Sequence, residues 1–226
     1  MLSKILKVVG RSCVVLMPWP IRRRILGAVF GYRIHPSARI GLSWIFPQHL
    51  EMAPGSRIGH FNVAVHLAKI ELGENATIER SNWITGMSPD HPVHFRHLPD
   101  RDPSFVVGAH SAITKKHHFD CTDRIEIGSF TTVAGYHSQF LTHSIDVIKN
   151  RQDCAPIVIG DHCFIGTNVV ALGGSRLPDC CVLAAKSLLN KPHAAPGFIY
   201  GGTPADKLKP LPSDAGYFKR RVGFVE

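Results

Sequence analysis

"IGDHCFIGTNVVALGGSRLPDCCVLAAKSLLNK", Ile159 to Lys191, sets an aliphatic residue at every sixth position: Ile159, Ile165, Ala171, Leu177, Leu183 and Leu189. Gly follows the first two. The same count extends back to Ile34, where the chain reads "IHPSAR", "IGLSWI", "FPQHLE". Units of six fall into seven groups of three, beginning at residues 34, 52, 72, 107, 127, 159 and 177. A fixed internal period of this kind marks a repeat architecture. Each group predicts one coil of a spiral with three short flat sides, its aliphatic residues pointing inward and Gly or another small residue permitting the bend. Coils stacked at strand spacing, roughly 4.8 Å, would align equivalent positions into ladders. One coil cannot bury its apolar edge; several can. An ordinary sandwich with chance six-residue spacing is the bland alternative.

Two stretches break the period, Met87–Phe105 and Ile145–Val158, and each leaves after the third unit of a group. Two large insertions at one corner predict a functional edge. The expected organisation is an arm over 1–33, a repeat domain over 34–206 with loop insertions at about 87–106 and 145–158, and a short tail over 207–226.

Composition agrees with an all-β repeat. The 226 residues are 44% hydrophobic and 8% aromatic, with 20 Gly and 16 Pro, which suits many short extended segments and argues against a helical bundle. Cys13, Cys121, Cys154, Cys163, Cys180 and Cys181 show no disulfide-framework spacing. They read as small hydrophobes in a reducing, cytoplasmic setting. The net charge of +9 is concentrated at the start: Lys4, Lys7, Arg11, Arg22, Arg23, Arg24, Arg33 and Arg39 all precede the first acid, Glu51. The arm's longest uncharged run, Ser12 to Ile21, is too short to span a bilayer. Two readings of the arm stay open: a basic amphipathic helix on an anionic membrane face, or a helix capping the repeat. The cations lack interleaved aromatics, which argues against nucleic acid.

The segment "PIVIGDHCFIGTNVVALGGSRLPDCCVLAAKSLLNK", followed by "YGGTPADK", resembles the closing part of the hexapeptide-repeat acyltransferases. With "HHFDCTD" and "THSID", the resemblance is nearest to O-acetyltransferases of sugars and surface polysaccharides, and it covers about Ile34 to Ala205. It implies a left-handed parallel β-helix of about seven coils, a homotrimer, and transfer of an acetyl group from acetyl-CoA to a saccharide hydroxyl. The handedness comes from the resemblance, since general crossover rules favour the opposite.

The resemblance also assigns residues. A His at the end of a coil, just before a loop, is the family's general base, and His143 stands there. A neutral imidazole suits proton removal from an attacking hydroxyl. Its other nitrogen works best held by an acceptor. Asp123, fifth in "FDCTDR" as His143 is fifth in "QFLTHS", is one candidate; Asp146 and a backbone carbonyl are the others. His117 and His137, each fifth in its unit, are expected on neighbouring rungs, His117 packed on a surface ladder and His118 or His137 contacting substrate. For the acyl donor, Thr167, Ala185 and Gly202 match the groove that meets pantetheine and nucleotide. Lys186 replaces the family's Gly, and Lys191 and Lys207 could meet CoA phosphates. Phe164 in place of Trp and Pro178 in place of Gly are departures from the pattern. The γ-class carbonic anhydrases share the spiral, but their zinc-binding His pair has a different spacing, so no metal is expected. A zinc enzyme of that kind, or a catalytically silent scaffold, remains the alternative; N-acylation is a closer one.

Overall fold

A computed structural model describes residues 2–91, 93–223 and 225. Three parallel sheets form the sides of a prism. On the first side, Ile34, Met52, Leu72, Val107, Ile127, Ile159 and Leu177 are consecutive partners in one unbroken register. These are the seven starting positions counted in the sequence. The second sheet has nine strands, because the hairpin Phe198–Gly202/Ala205–Pro210 adds two beyond the last coil. The third has seven, from Trp44–Phe46 to Leu188–Leu189.

The inward ladders build the core. Ile58, Ile78, Ile113, Val133, Ile165 and Leu183 are buried in line on the second side. Phe119 fills the middle coils between Phe105 and Phe140, with ring centroids 4.8 and 4.9 Å away. Each such side chain contributes about 1.5–3 kcal/mol on burial.

The glycines after the aliphatic residues have a different role from the one expected. Gly108, Gly128 and Gly160 do not adopt a positive φ; a Cβ on Gly108 would lie 2.5 Å from the Ser129 nitrogen, and one on Gly128 would lie 2.5 Å from the Gly160 carbonyl carbon. They are small because the next coil passes so close. The left-handed bend falls at the fourth position of the unit, on Asn75, His110, Phe130, His162 and Cys180. Each of these donates its backbone N–H to a carbonyl of the preceding coil, which offsets the cost of the conformation.

The arm forms two helices, α1 (Leu2–Leu16) and α2 (Trp19–Phe30), the latter stopped by Gly31 at φ 68°. α2 covers the open end of the spiral. Leu26 is buried there, and the buried Arg22 donates to the Gly41 and Ser43 carbonyls at 2.7 and 2.9 Å. Those carbonyls belong to the first coil, which has no earlier coil to pair with. Arg11 lies over the Phe46 ring, and Arg33 pairs with Glu51. The arm's positive charge is therefore partly turned onto the body rather than left unopposed. No helix among the described residues is long and apolar enough to cross a membrane.

The expected boundary at 206 falls inside the strand Ala205–Pro210. Beyond it the chain folds back along the spiral, with Tyr217 Oη donating to the Cys163 carbonyl at 2.9 Å. The first insertion ends where Ser104–Val107 rejoins the first side. The second is a β-hairpin, His143–Asp146 paired antiparallel with Arg151–Cys154. Cys121, Cys163 and Cys181 are buried, and all six cysteines are free thiols.

Candidate active site

His143 begins the hairpin where the chain leaves the third side. The strand before it, Gln139–Leu141, pairs with His118–Asp120, setting Asp120 beside Leu141. Thr142 makes the exit: its Oγ1 donates to the Asp120 carbonyl at 2.7 Å and accepts the Asp123 N–H at 2.9 Å. The turn-out brings His143 Nδ1 against Asp120 Oδ2. Asp120 Oδ1 accepts the Thr122 hydroxyl at 2.7 Å and the Thr122 N–H at 3.1 Å.

Burial opposes ionisation of Asp120, but the bonds from His143 and Thr122 outweigh it and hold the carboxyl below its ordinary value. The same hydrogen bond raises the His143 pKa above 6.5, against partial desolvation. Nδ1–H donates to the carboxylate, so the neutral ring presents Nε2 as a base. No hydrogen bond among the described residues engages that Nε2. The His143 side chain is 39% exposed and Asp120 only 12%, so the imidazole faces solvent with its orienting carboxylate behind it.

The two insertions meet over this pair. Arg101 Nη1 donates to the carbonyls of Met87 and Thr122 at 2.7 and 2.6 Å, and Nη2 to that of Ser88 at 2.8 Å. This pins the first insertion to the loop that supports Asp120. The Arg101 guanidinium also lies over Phe95, whose ring meets His143 edge-on with centroids 6.3 Å apart.

Asp123 does not reach His143. Its Oδ1 accepts the backbone N–H groups of Arg124 at 2.8 Å and Asp102 at 3.3 Å. Asp146 is held by Lys149 and by the backbone of Ile148 and Lys149. Asp123 is out of line with His143 for a physical reason. Ile113 to Phe119 takes six steps between inward positions, and so does Ile165 to Ala171, but Val133 to Phe140 takes seven. The extra residue sits in the corner containing Gly135 at φ 71° and His137 at φ 61°. It shifts the third side of this coil by one residue, so that His143 follows in line with Thr122 rather than Asp123. Asp120 itself carried a readable signal: Asp-x-Thr is the spacing at which a carboxylate accepts its own backbone two residues on.

The same shift separates His117 from His137. His117 is buried, not on the surface, with Nδ1 accepting the Ser138 N–H at 3.2 Å and Nε2 2.9 Å from Thr114 Oγ1. It belongs to a buried polar ladder, Ser43, Asn62, Asn82, His117 and Ser138, in which each side chain accepts a backbone N–H from the next coil. Burial, then the nearby His137, pushes its pKa down to about 4. His137 is exposed at the corner, and His118 is exposed on the third side between Trp83 and Gln139.

Four of the donor-side residues are brought together. Ala185 stacks under Gly166, Lys186 N–H donates to the Thr167 carbonyl at 3.0 Å, and Gly202 N–H to Ser187 Oγ at 3.2 Å. They border a cleft of about 430 Å³ lined by Asn168, Val170, Lys186, Ser187, Leu188 and Thr203. Lys191 and Lys207 stand apart, Lys191 Nζ 4.0 Å from Asp206 and Lys207 Nζ 4.6 Å from the Phe198 ring centre. Gly173, at the far edge of the third side, stacks against the Thr142 carbonyl beside His143. Six residues of extended chain from Thr167 to Gly173 put the two edges about 20 Å apart. Among the described residues, no three His, Cys, Asp or Glu side chains are grouped to hold a metal ion.

Solved structures similar to this chain include a hexapeptide-repeat-containing acetyltransferase from Vibrio cholerae O1 biovar eltor, complexed with acetyl coenzyme A. It is 26% identical, with a TM-score of 0.51, over 63% of this chain and 72% of that one. A mutant of the N-acyltransferase AntD from Bacillus cereus, in complex with dTDP and coenzyme A, has a TM-score of 0.51 at 14% identity, over 73% and 87% of the chains, and is similar in fold. Among curated proteins, YvoF of Bacillus subtilis (strain 168), itself named only as a candidate acetyltransferase, is 30% identical over 82 residues. That match takes in 36% of this chain and 45% of YvoF, less than half of the relative's length. No protein-family model matches the chain. The fold is the left-handed parallel β-helix of the hexapeptide-repeat acetyltransferases.

Proposed function

We propose that the protein is a CoA-dependent O-acetyltransferase whose acceptor is a saccharide hydroxyl. The observation that carries this reading is the imidazole of His143, its Nδ1 on a buried carboxylate and its Nε2 open at an interrupted corner of the spiral. In the proposed reaction His143 Nε2 takes the hydroxyl proton as the oxygen attacks the thioester carbonyl. Asp120 holds the ring in the required tautomer and stabilises the imidazolium. When the tetrahedral intermediate collapses, the C–S bond breaks and the imidazolium returns its proton to the departing thiolate. The result is an acetyl ester, free CoA thiol and a neutral His143.

The acyl donor fits the cleft beside Lys186. Its mix of Val170 and Leu188 with Asn168, Ser187 and Lys186 suits a chain that is apolar in places and carries amides and phosphates. That cleft and His143 occupy opposite edges of one side, so a single chain does not bring them together. A homotrimer, in which one copy's His143 edge faces its neighbour's Lys186 edge, would complete the site. An assay of thiol release from acetyl-CoA against a panel of saccharides tests the activity; no release with any hydroxyl acceptor would dismiss it. Mixing His143→Ala with Lys186→Glu chains tests the shared site. Activity recovered in mixed trimers, but absent from either parent, is expected; none recovered would place the site within one copy.

The arm is proposed to rest on an anionic membrane at the cytoplasmic face. Leu6, Val8, Val9 and Leu16 of α1 are exposed while Val14 and Val15 pack against the body. Binding to anionic vesicles that survives deletion of residues 1–17 would remove this idea.

A further inference from the structure

Between the two insertions lies a cleft of about 540 Å³. His94, Arg96 and His97 enter it from the first insertion and Arg151 from the second, and no Asp or Glu among the described residues lines it. Two other clefts differ, the one at Arg33 and Lys69 containing Glu51 and the one beside the folded-back tail containing Glu79, while the donor-side cleft likewise has, among the described residues, no acid but only one cation, Lys186. Asp146, the register partner of Arg151 across the hairpin, is drawn away by Lys149 Nζ at 3.4 Å and by two backbone N–H groups. Arg151, left without that carboxylate in a concavity, concentrates anions there. Arginine's planar fork matches the oxygens of a phosphate or carboxylate.

The cleft adjoins the imidazole. Alternate residues of a strand share a face, so His143 and Ile145 point the same way, as do their cross-strand partners Cys154 and Gln152. Ile145 and Gln152 line the cleft. So does Phe95, whose ring also touches His143. Two residues of strand separate His143 from Ile145, about 7 Å, close to the span of one sugar ring.

We infer that the acceptor is an anionic saccharide, carrying a phosphate or carboxylate about one ring away from the hydroxyl that is acetylated, with the anion held by Arg151 and the neighbouring imidazoles. This rests on His143 being the base, as proposed above.

The test uses the full-length protein with acetyl-CoA and four acceptors: glucose, glucose 1-phosphate, UDP-glucose and glucuronic acid. A charged sugar is expected to exceed glucose in kcat/KM by at least about tenfold, and the phosphate and carboxylate arms identify the anion. Arg151→Ala should remove most of that advantage and leave the KM for acetyl-CoA within about twofold. Equal use of glucose overturns the inference. So does a rise in the acetyl-CoA KM with no change for the acceptor, which would assign the cleft to the donor. A readout independent of turnover is calorimetric binding of glucose 1-phosphate to the His143→Ala protein. Adding Arg151→Ala should weaken it about tenfold, and unchanged binding overturns the inference. Arg151-dependent binding by a wild-type protein that transfers no acetyl group would keep the anion site and dismiss the acyltransferase reading instead.

Discussion

His117 and His143 lie one coil apart on the same β-helix, and their surroundings push them in opposite directions. His117 sits inside a corner, its Nδ1 accepting a backbone N–H, and burial holds it neutral with a pKa of about 4. His143 sits where the corner has opened, and a carboxylate on Nδ1 raises its pKa. One ring is wanted as a hydrogen-bond acceptor in a ladder of backbone amides; the other gains an acceptor of its own and turns its free nitrogen outward. The difference lies in whether the coil closes.

The sharpest way to break this contrast is His143→Ala. The expected loss in kcat is about 10²–10⁴-fold, with Tm and CoA binding preserved; near-normal turnover would remove His143 as the base. The next effect is on stability. A histidine with a depressed folded pKa contributes stability that is complete above its ordinary 6.5 and is lost as pH falls from there toward 4. Fully protonating His117 should cost about 3 kcal/mol. His117→Asn keeps an acceptor like that of Asn82 one coil before it, so its Tm should fall less than the wild type's between pH 6.5 and 4. Parallel Tm curves would show that His117 does not titrate in this range.

Asp120→Asn should act through His143. The wild-type His143 pKa is raised, so its pairing with Asp120 stabilises the fold below pH 6.5 and fades as pH rises through the raised value, while basic activity grows over the same interval. In Asp120→Asn the acid limb of kcat/KM should move to lower pH and the plateau fall about 10–100-fold. A lower plateau with an unmoved limb would mean that Asp120 is only structural. The smallest effect belongs to Asp123→Asn, which keeps its oxygen acceptor for the Arg124 and Asp102 amides and should leave kcat within about twofold. A loss matching that of Asp120→Asn would reverse the assignment of the two carboxylates.

Much of the fold was legible because a single rule repeats. A coil that fails to place an aliphatic residue at each inward position loses its share of the core, and so Ile34 to Leu177 can be counted without coordinates. His143 was legible because a break in a regular pattern is conspicuous. The pairing of His143 with Asp120 was not, because one extra residue in the corner holding Gly135 moves the ladder by a place and the chain then leaves that ladder at Thr142, turning His143 back onto a carboxylate two places away. The role of the glycines was not legible either: the sequence displays Gly108, Gly128 and Gly160 but not the backbone of the next coil that excludes a Cβ there.

The six-residue period alone determined the number of coils, their order and the corner where they open. Only the tertiary structure decided which carboxylate faces His143, which histidine is interior, and that the arm's Arg22 closes the first coil. The physical reason is a matter of range. Inward spacing is a local property that each unit must satisfy for itself, whereas side-chain partnerships depend on register between coils about twenty residues apart, where a single inserted residue exchanges inside for outside.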